Sequence, residues 1–245
     1  MIDTKEKAYI LGYTLADGYI VKDKVEYECV LDDKEILDFI SSQFGAKVQV
    51  DTYFNKEARR FPRARISIGD PQLVKDINKY CGRKEDKTFP IIKKELQHYM
   101  LLGFFDGDGC LTYGHRKDRG RLWHKVSFTG SYKLLTAIQK SLEKTSITSR
   151  MYPKKGENCY VVELTSKEAI LKILEYMYSD EDLIVLHRKY NKYKALRLEL
   201  GENEETTLGS TISCQATSHE VEGVETTGGK MGSLNNQLEC PSLNR

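Results

Sequence analysis

Two aspartates close two copies of one short pattern. Residues Tyr9 to Gly18 read YILGYTLADG, and residues Tyr99 to Gly109 read YMLLGFFDGDG. Each is an apolar run with a small residue at every fourth position, Gly12 and Ala16 in the first copy and Gly103 and Gly107 in the second, and each ends in Asp-Gly. On a helix, small residues at i and i+4 form a ridge that lets two backbones approach closely. Packing one ridge on the other brings Asp17 and Asp108, 91 positions apart in the chain, to one end of a shared seam. There each carboxylate meets the negative end of a helix dipole and the charge of its counterpart, so a divalent cation is the natural compensation. Oxygen-only ligation suits magnesium, with water completing the shell.

The same reading leaves Tyr13, Leu15, Phe104 and Phe105 to face the core of their own half. It expects Gly18 and Gly109 to end the helices with an unusual φ. After the first copy, residues 25–31 alternate like a strand, 32–44 carry Ile36, Leu37, Ile40 and Phe44 at helical spacing, 47–54 and 63–69 are strand-like, and 70–82 read as a helix capped by Asp70. The second half repeats the order. Strands are expected over 111–116 and 122–130, a Ser131-capped helix over 131–144, strands over 148–153 and 159–165, a helix over 166–178 and a basic helical segment over 183–200. An internal repeat of about ninety residues argues for two equivalent units about a pseudo-twofold axis.

Composition limits the alternatives. The chain has 245 residues, 40% of them hydrophobic, enough for a sizeable core. Its apolar runs are shorter than the roughly 20 residues that span a bilayer, and its start has no basic-then-apolar signal, so a cytoplasmic protein is expected. Six scattered cysteines without a CxxC pair point to reduced thiols. The five histidines, His98, His115, His124, His187 and His219, have no metal-ligand spacing, and no GxSxG or phosphate-binding loop occurs. Residues 201–245 hold two basic and seven acidic side chains, so the first 200 carry a formal charge of +7 against +2 for the whole chain. A basic body suits a polyanionic partner, and the polar, acidic tail from residue 201 is expected to be disordered.

ILGYTLADG (Ile10 to Gly18) and LLGFFDGDG (Leu101 to Gly109) resemble the motif of the LAGLIDADG homing endonucleases in their single-chain, two-motif form. The likeness runs over about residues 5 to 198 through motif and element order. The first copy has Leu15 where the family often has an acid. What the resemblance implies is an α+β fold of two pseudo-symmetric αββαββα halves, residues 1–95 and 96–200, packed through the paired motif helices, with antiparallel sheets forming a DNA-binding saddle. Asp17 and Asp108 match the metal-binding acids, and the main-chain carbonyls of Ala16 and Gly107 match the positions that assist. The family also places a basic residue near each active site. Lys87 fits that place in the first half; Lys189, with Arg188 close by, is chosen for the second.

The implied activity is magnesium-dependent hydrolysis of both strands of a long, asymmetric duplex DNA site. Two or three divalent ions are implied, with Mn2+ able to substitute, and the products carry 3′ overhangs. DNA contacts are expected from strand faces in the segments ARRFPRAR (Ala58 to Arg65) and HRKDRGR (His115 to Arg121). These supply Arg59, Arg60, Arg63, Arg65, Arg116, Arg119 and Arg121, with Lys22, Lys24, Lys125, Arg150, Lys154 and Lys155 as further candidates. Arg63 and Arg65 are expected to share a face. The alternatives are an intron RNA maturase and a DNA-binding regulator without catalysis; two facing carboxylates favour cleavage over the latter. The termini lack self-splicing residues, so a free-standing monomer, intron-encoded or intergenic, is expected in the cytoplasm or the genome-containing compartment of an organelle.

Overall fold

Alternating and helical apolar spacings resolve into two similar halves in a computed structural model. It describes residues 2–54, 60–81, 87–116, 120, 122–155 and 158–201. The first half runs α1 (Lys5–Asp17), β1 (Tyr19–Val21), β2 (Lys24–Val30), α2 (Lys34–Phe44), β3 (Gln49–Phe54), β4 (Arg60–Ile68) and α3 (Pro71–Cys81). The second runs α4 (Gln97–Asp108), β5 (Gly109–His115), β6 (Leu122–Gly130), α5 (Tyr132–Glu143), β7 (Arg150–Pro153), β8 (Tyr160–Leu164) and α6 (Lys167–Met177), and α7 (His187–Glu199) follows. The strands form two four-stranded sheets, ordered β1-β2-β4-β3 and β5-β6-β8-β7, with antiparallel neighbours throughout. Residues up to Leu200 make one unit, and the tail from residue 202 lies outside the described residues.

Each sheet buries the face its alternation predicts. Val25, Tyr27 and Cys29 of β2 and Ala64, Ile66 and Ile68 of β4 are buried, as are Ile36, Leu37 and Ile40 of α2. In the second half Leu111, Val126, Phe128, Val162 and Leu164 turn inward with Leu134, Leu135 and Ile138 of α5 and Ile170, Ile173 and Leu174 of α6. Helix starts are set where the sequence places oxygen-bearing side chains. Ser131 accepts from the Leu134 amide, Ser166 from Ala169, Thr4 from Lys7, and Asp70 from both Gln72 and Leu73. β1, only three residues long, has too little alternation to stand out in the sequence.

α1 and α4 lack a solvent face. Ala8 through Leu15 are buried in α1 and Met100 through Asp106 in α4, the pattern of helices enclosed on every side. A β-carbon at Gly12 would lie 1.8 Å from the Met100 carbonyl oxygen, and one at Gly103 would lie 2.0 Å from that of Tyr9. One at Gly107 would lie 2.4 Å from the Ala16 β-carbon. All four small residues therefore sit at the seam. Tyr13, Leu15, Phe104 and Phe105 are buried; Tyr13 stacks on Tyr27, and Phe105 meets Phe128 edge-on.

Gly18 and Gly109 serve a different purpose from the one expected. Their φ values are −80° and −93°, open to any residue. Space is what selects glycine: an added β-carbon would lie 2.6 Å from the Thr14 γ-methyl at Gly18 and 2.2 Å from the Phe105 ring at Gly109. Gly103→Ala should cost at least about 1–3 kcal/mol in a denaturant titration, because the obstruction is backbone. Ser166→Ala, which removes one cap, should cost about 1 kcal/mol.

Candidate active site

The seam fixes where the acids fall. Asp17 and Asp108 are the last residues of α1 and α4, immediately before the glycines that lead into β1 and β5. Asp17 reaches across the seam: its Oδ2 lies 3.0 Å from the position a Gly107 β-carbon would take. Asp108 is partly enclosed, and burial, reinforced by the charge of Asp17, raises its carboxyl to about 7. Lys87, Lys189 and Lys154 pull in the opposite direction without cancelling the effect. The end of the seam thus brings two carboxylates close enough for one to disturb the other.

That chemistry fits a hard divalent cation. Among the described residues no group of three or more His, Cys, Asp or Glu side chains is placed to hold a metal ion by itself. Two carboxylates with neighbouring main-chain carbonyls are the oxygen donor set from which magnesium is commonly held, waters and phosphate oxygens supplying the rest.

Lys87 and Lys189 occupy matching places. Lys87 Nζ donates to the carbonyls of Thr14, Leu15 and Gly18 at 3.3, 3.0 and 3.3 Å. Lys189 Nζ donates to those of Phe105, Asp106 and Gly109 at 2.5, 2.9 and 2.7 Å. Displaced by the spacing between Asp17 and Asp108, the first set of acceptors becomes the second. Each ammonium therefore closes the end of a motif helix, sharing the Thr14 or Phe105 carbonyl with the cap amide of Gly18 or Gly109 and opposing the negative end of the helix dipole. Lys87 is half-buried, whereas Lys189 is buried, its ammonium 4.9 Å from the Phe105 ring centre. Burial lowers the Lys189 pKa, and Asp106 is the first group to oppose that effect. Arg188 instead binds Asp33, through Nη2 to Oδ2 at 2.7 Å.

Asp106 is the residue that sequence reasoning missed. It is buried, accepts a hydrogen bond from Tyr9 Oη at 2.8 Å, and its carboxyl is raised to about 7, chiefly by burial. The only signal in the sequence was the mismatch between Leu15 and an acid.

The sheet faces opposite the buried ones carry most of the remaining candidates. Arg63, Arg65 and Ser67 of β4 share that face, as do Glu26 and Glu28 of β2. Arg63 is clasped by acids, Nε to Asp51 at 2.6 Å and Nη1 to Glu28 at 2.9 Å, which hold it firmly charged; Arg65 Nε lies 3.4 Å from Asp51. The arginines thus belong to a mixed lattice of charge rather than a purely basic strip. On the second sheet Lys125 binds Glu163 at 2.9 Å, Arg150 pairs in register with Glu163, and Trp123 and Tyr152 are exposed. Lys22, Lys24, Arg116, Lys154 and Lys155 are exposed. Arg59, Arg119 and Arg121 lie outside the described residues, and Arg60 enters only through its backbone pairing with Phe54.

The fold has counterparts among known proteins. Residues 95–178 match the family model of a LAGLIDADG-like domain. The structure of the I-LtrWI LAGLIDADG homing endonuclease bound to target DNA aligns with 82% of this chain and 93% of its own, at TM-score 0.54 and 14% identity. The LAGLIDADG homing endonuclease I-GzeII in complex with its DNA target aligns over 81% and 92%, at TM-score 0.56 and 11% identity. The homing endonuclease I-WcaI bound to its DNA recognition sequence does so over 78% and 86%, at TM-score 0.56 and 15% identity. No curated protein sequence matches the chain significantly. The fold is that of the LAGLIDADG homing endonucleases, in the single-chain form with two motifs and two sheets.

The raised Asp108 carboxyl makes a signed prediction. Folded protein keeps this proton up to about 7, whereas an unfolded aspartate releases it near 3.9. Between those values the folded state binds more protons, so this group's contribution to stability falls as pH rises and levels off above about 7. With chelator present, Asp108→Asn should match the wild type in melting temperature near pH 4 and exceed it increasingly up to about pH 7, above which the difference stays constant. Added Mg2+ should narrow the difference by stabilising the wild type alone.

Proposed function

We propose that this protein is a site-specific endonuclease that hydrolyses both strands of duplex DNA with a divalent metal, magnesium by preference. The observation that carries the reading is the meeting of Asp17 and Asp108 at one end of the α1–α4 seam, close enough that the charge of Asp17 helps to raise the Asp108 carboxyl. A pure binding protein has no chemical need of such a pair. Asp17, Asp108 and the carbonyls of Ala16 and Gly107 would hold the metal. The bound ion would supply Lewis-acid stabilisation of charge on the phosphate and lower the pKa of an attacking water.

The rest of the work falls to the chain itself. Lys87 and Lys189 fix the two helix ends and place positive charge beside the acids. The first half, residues 1–95, reads one half-site through the β2-β4-β3 face; the second, residues 96–200, reads the other. Their side chains differ, Arg63, Arg65, Glu28 and Asp51 against Trp123, Lys125, Arg150, Tyr152 and Glu163, which supports an asymmetric target. The chain acts as a monomer, in whichever compartment holds its target genome, and leaves 3′ overhangs.

Selection of cleaved duplexes from a randomised library with Mg2+ should enrich one long, non-palindromic site. Asp17→Asn and Asp108→Asn should each abolish double-strand cleavage and leave binding within a few-fold. Binding should fall steeply with salt, by about 10^3-fold or more between roughly 50 and 200 mM for six or more phosphate contacts. Failure to enrich any duplex, with tight binding to a structured intron RNA instead, would replace this reading with a maturase.

A further inference from the structure

One buried acid has no part in the proposed reaction. Asp106 is 3% exposed and corresponds in the first copy to Leu15. Its Oδ2 accepts the hydrogen bond from Tyr9 Oη, which comes from the opposite motif helix; the residue matching Tyr9 in the second copy is Met100. Its Oδ1 has no hydrogen-bond partner among the described residues. The Asp106 carbonyl, meanwhile, is one of the three that hold Lys189.

Lys189 is 4% exposed, and its three N–H groups are committed to main-chain carbonyls. A buried ammonium is costly unless it is hydrogen-bonded. One of the three carbonyls that hold it belongs to Asp106, whose side chain Tyr9 anchors from α1. Lys87, half-buried, makes the equivalent three bonds with only Leu15 at the matching position. The two helix ends are therefore capped alike but supported differently.

We propose that Tyr9, Asp106 and Lys189 form a positioning chain present only in the second half, which fixes the last turn of α4 and Asp108 with it, so that the two DNA strands are cut at different intrinsic rates. Tyr9 anchors the Asp106 side chain from α1, the Asp106 main-chain carbonyl accepts from Lys189, and Lys189 closes the carbonyls flanking Asp108. The strand-rate consequence rests on the endonuclease reading above; the positional consequence does not.

The test uses Asp106→Leu, which copies the first half, and Tyr9→Phe, which removes one hydroxyl. Each is assayed with the duplex enriched by the wild type, its two strands carrying different 5′ labels. Both variants should slow one strand at least tenfold relative to the other, with nicked duplex accumulating. Lys189→Met should slow the same strand, and combining it with Asp106→Leu should add little, because the two act in series. In metal-free protein, amide exchange at Gly109 should quicken at least tenfold while that at Gly18, the matching cap amide, stays unchanged. Equal slowing of both strands, or unchanged exchange at Gly109, would overturn the proposal. If Asp106→Leu does not fold, Tyr9→Phe carries both measurements alone. A wild type that cuts no duplex removes the endonuclease reading and the strand-rate claim with it, and the exchange comparison still decides the positioning chain.

Discussion

Backbone touches backbone where α1 crosses α4, and everything at the functional end depends on that contact. At Gly12 and Gly103 the facing carbonyls stand where a β-carbon would be, 1.8 and 2.0 Å from it. Larger residues would part the helices by the width of a side chain, and the aspartates at their ends would part with them. The apolar residues around the ridges make this approach favourable: Tyr13, Leu15, Phe104 and Phe105 are each at most 2% exposed, so separating the helices would open both cores.

Close approach has an electrostatic cost that the surrounding structure answers in part. Two helix dipoles end at one place, each with a carboxylate attached, and the first relief is a lysine on each set of terminal carbonyls. Those lysines bond the terminal carbonyls and leave the Asp108 carboxyl raised to about 7, a disturbance that a divalent cation beside both carboxylates would relieve. The second half carries a further buried acid, Asp106, tied to Tyr9 across the seam. Similar backbones thus surround two electrostatically different ends.

Much of this was legible in the sequence because it is local. Four-residue spacing of small side chains, alternation in β2, β4, β6 and β8, and the Ser131, Ser166 and Asp70 caps all act within a few residues of where they are read. The pairing of Arg63 with Asp51 and Glu28 was not legible, because it depends on the register of three strands. Lys87 and Lys189 stand 70 and 81 residues from their respective aspartates, so internal repetition could not pair them; only the family likeness drew attention to both. Asp106 was overlooked because an acid in an apolar run, next to Asp108, gives no sign that its partner is a tyrosine on the other helix. Gly18 and Gly109 were recognised as necessary for the wrong reason, since crowding by the preceding turn leaves no trace in residue type.

Asp17 and Asp108, brought together by the seam, are proposed to share one divalent-metal site. The decisive measurement is anomalous scattering from manganese in crystals of the protein with its selected duplex. Peaks are expected within about 2.0–2.4 Å of both carboxylates, at oxygen-ligand distances for small divalent cations. Manganese bound elsewhere, with both aspartates making only protein contacts, would contradict a shared site.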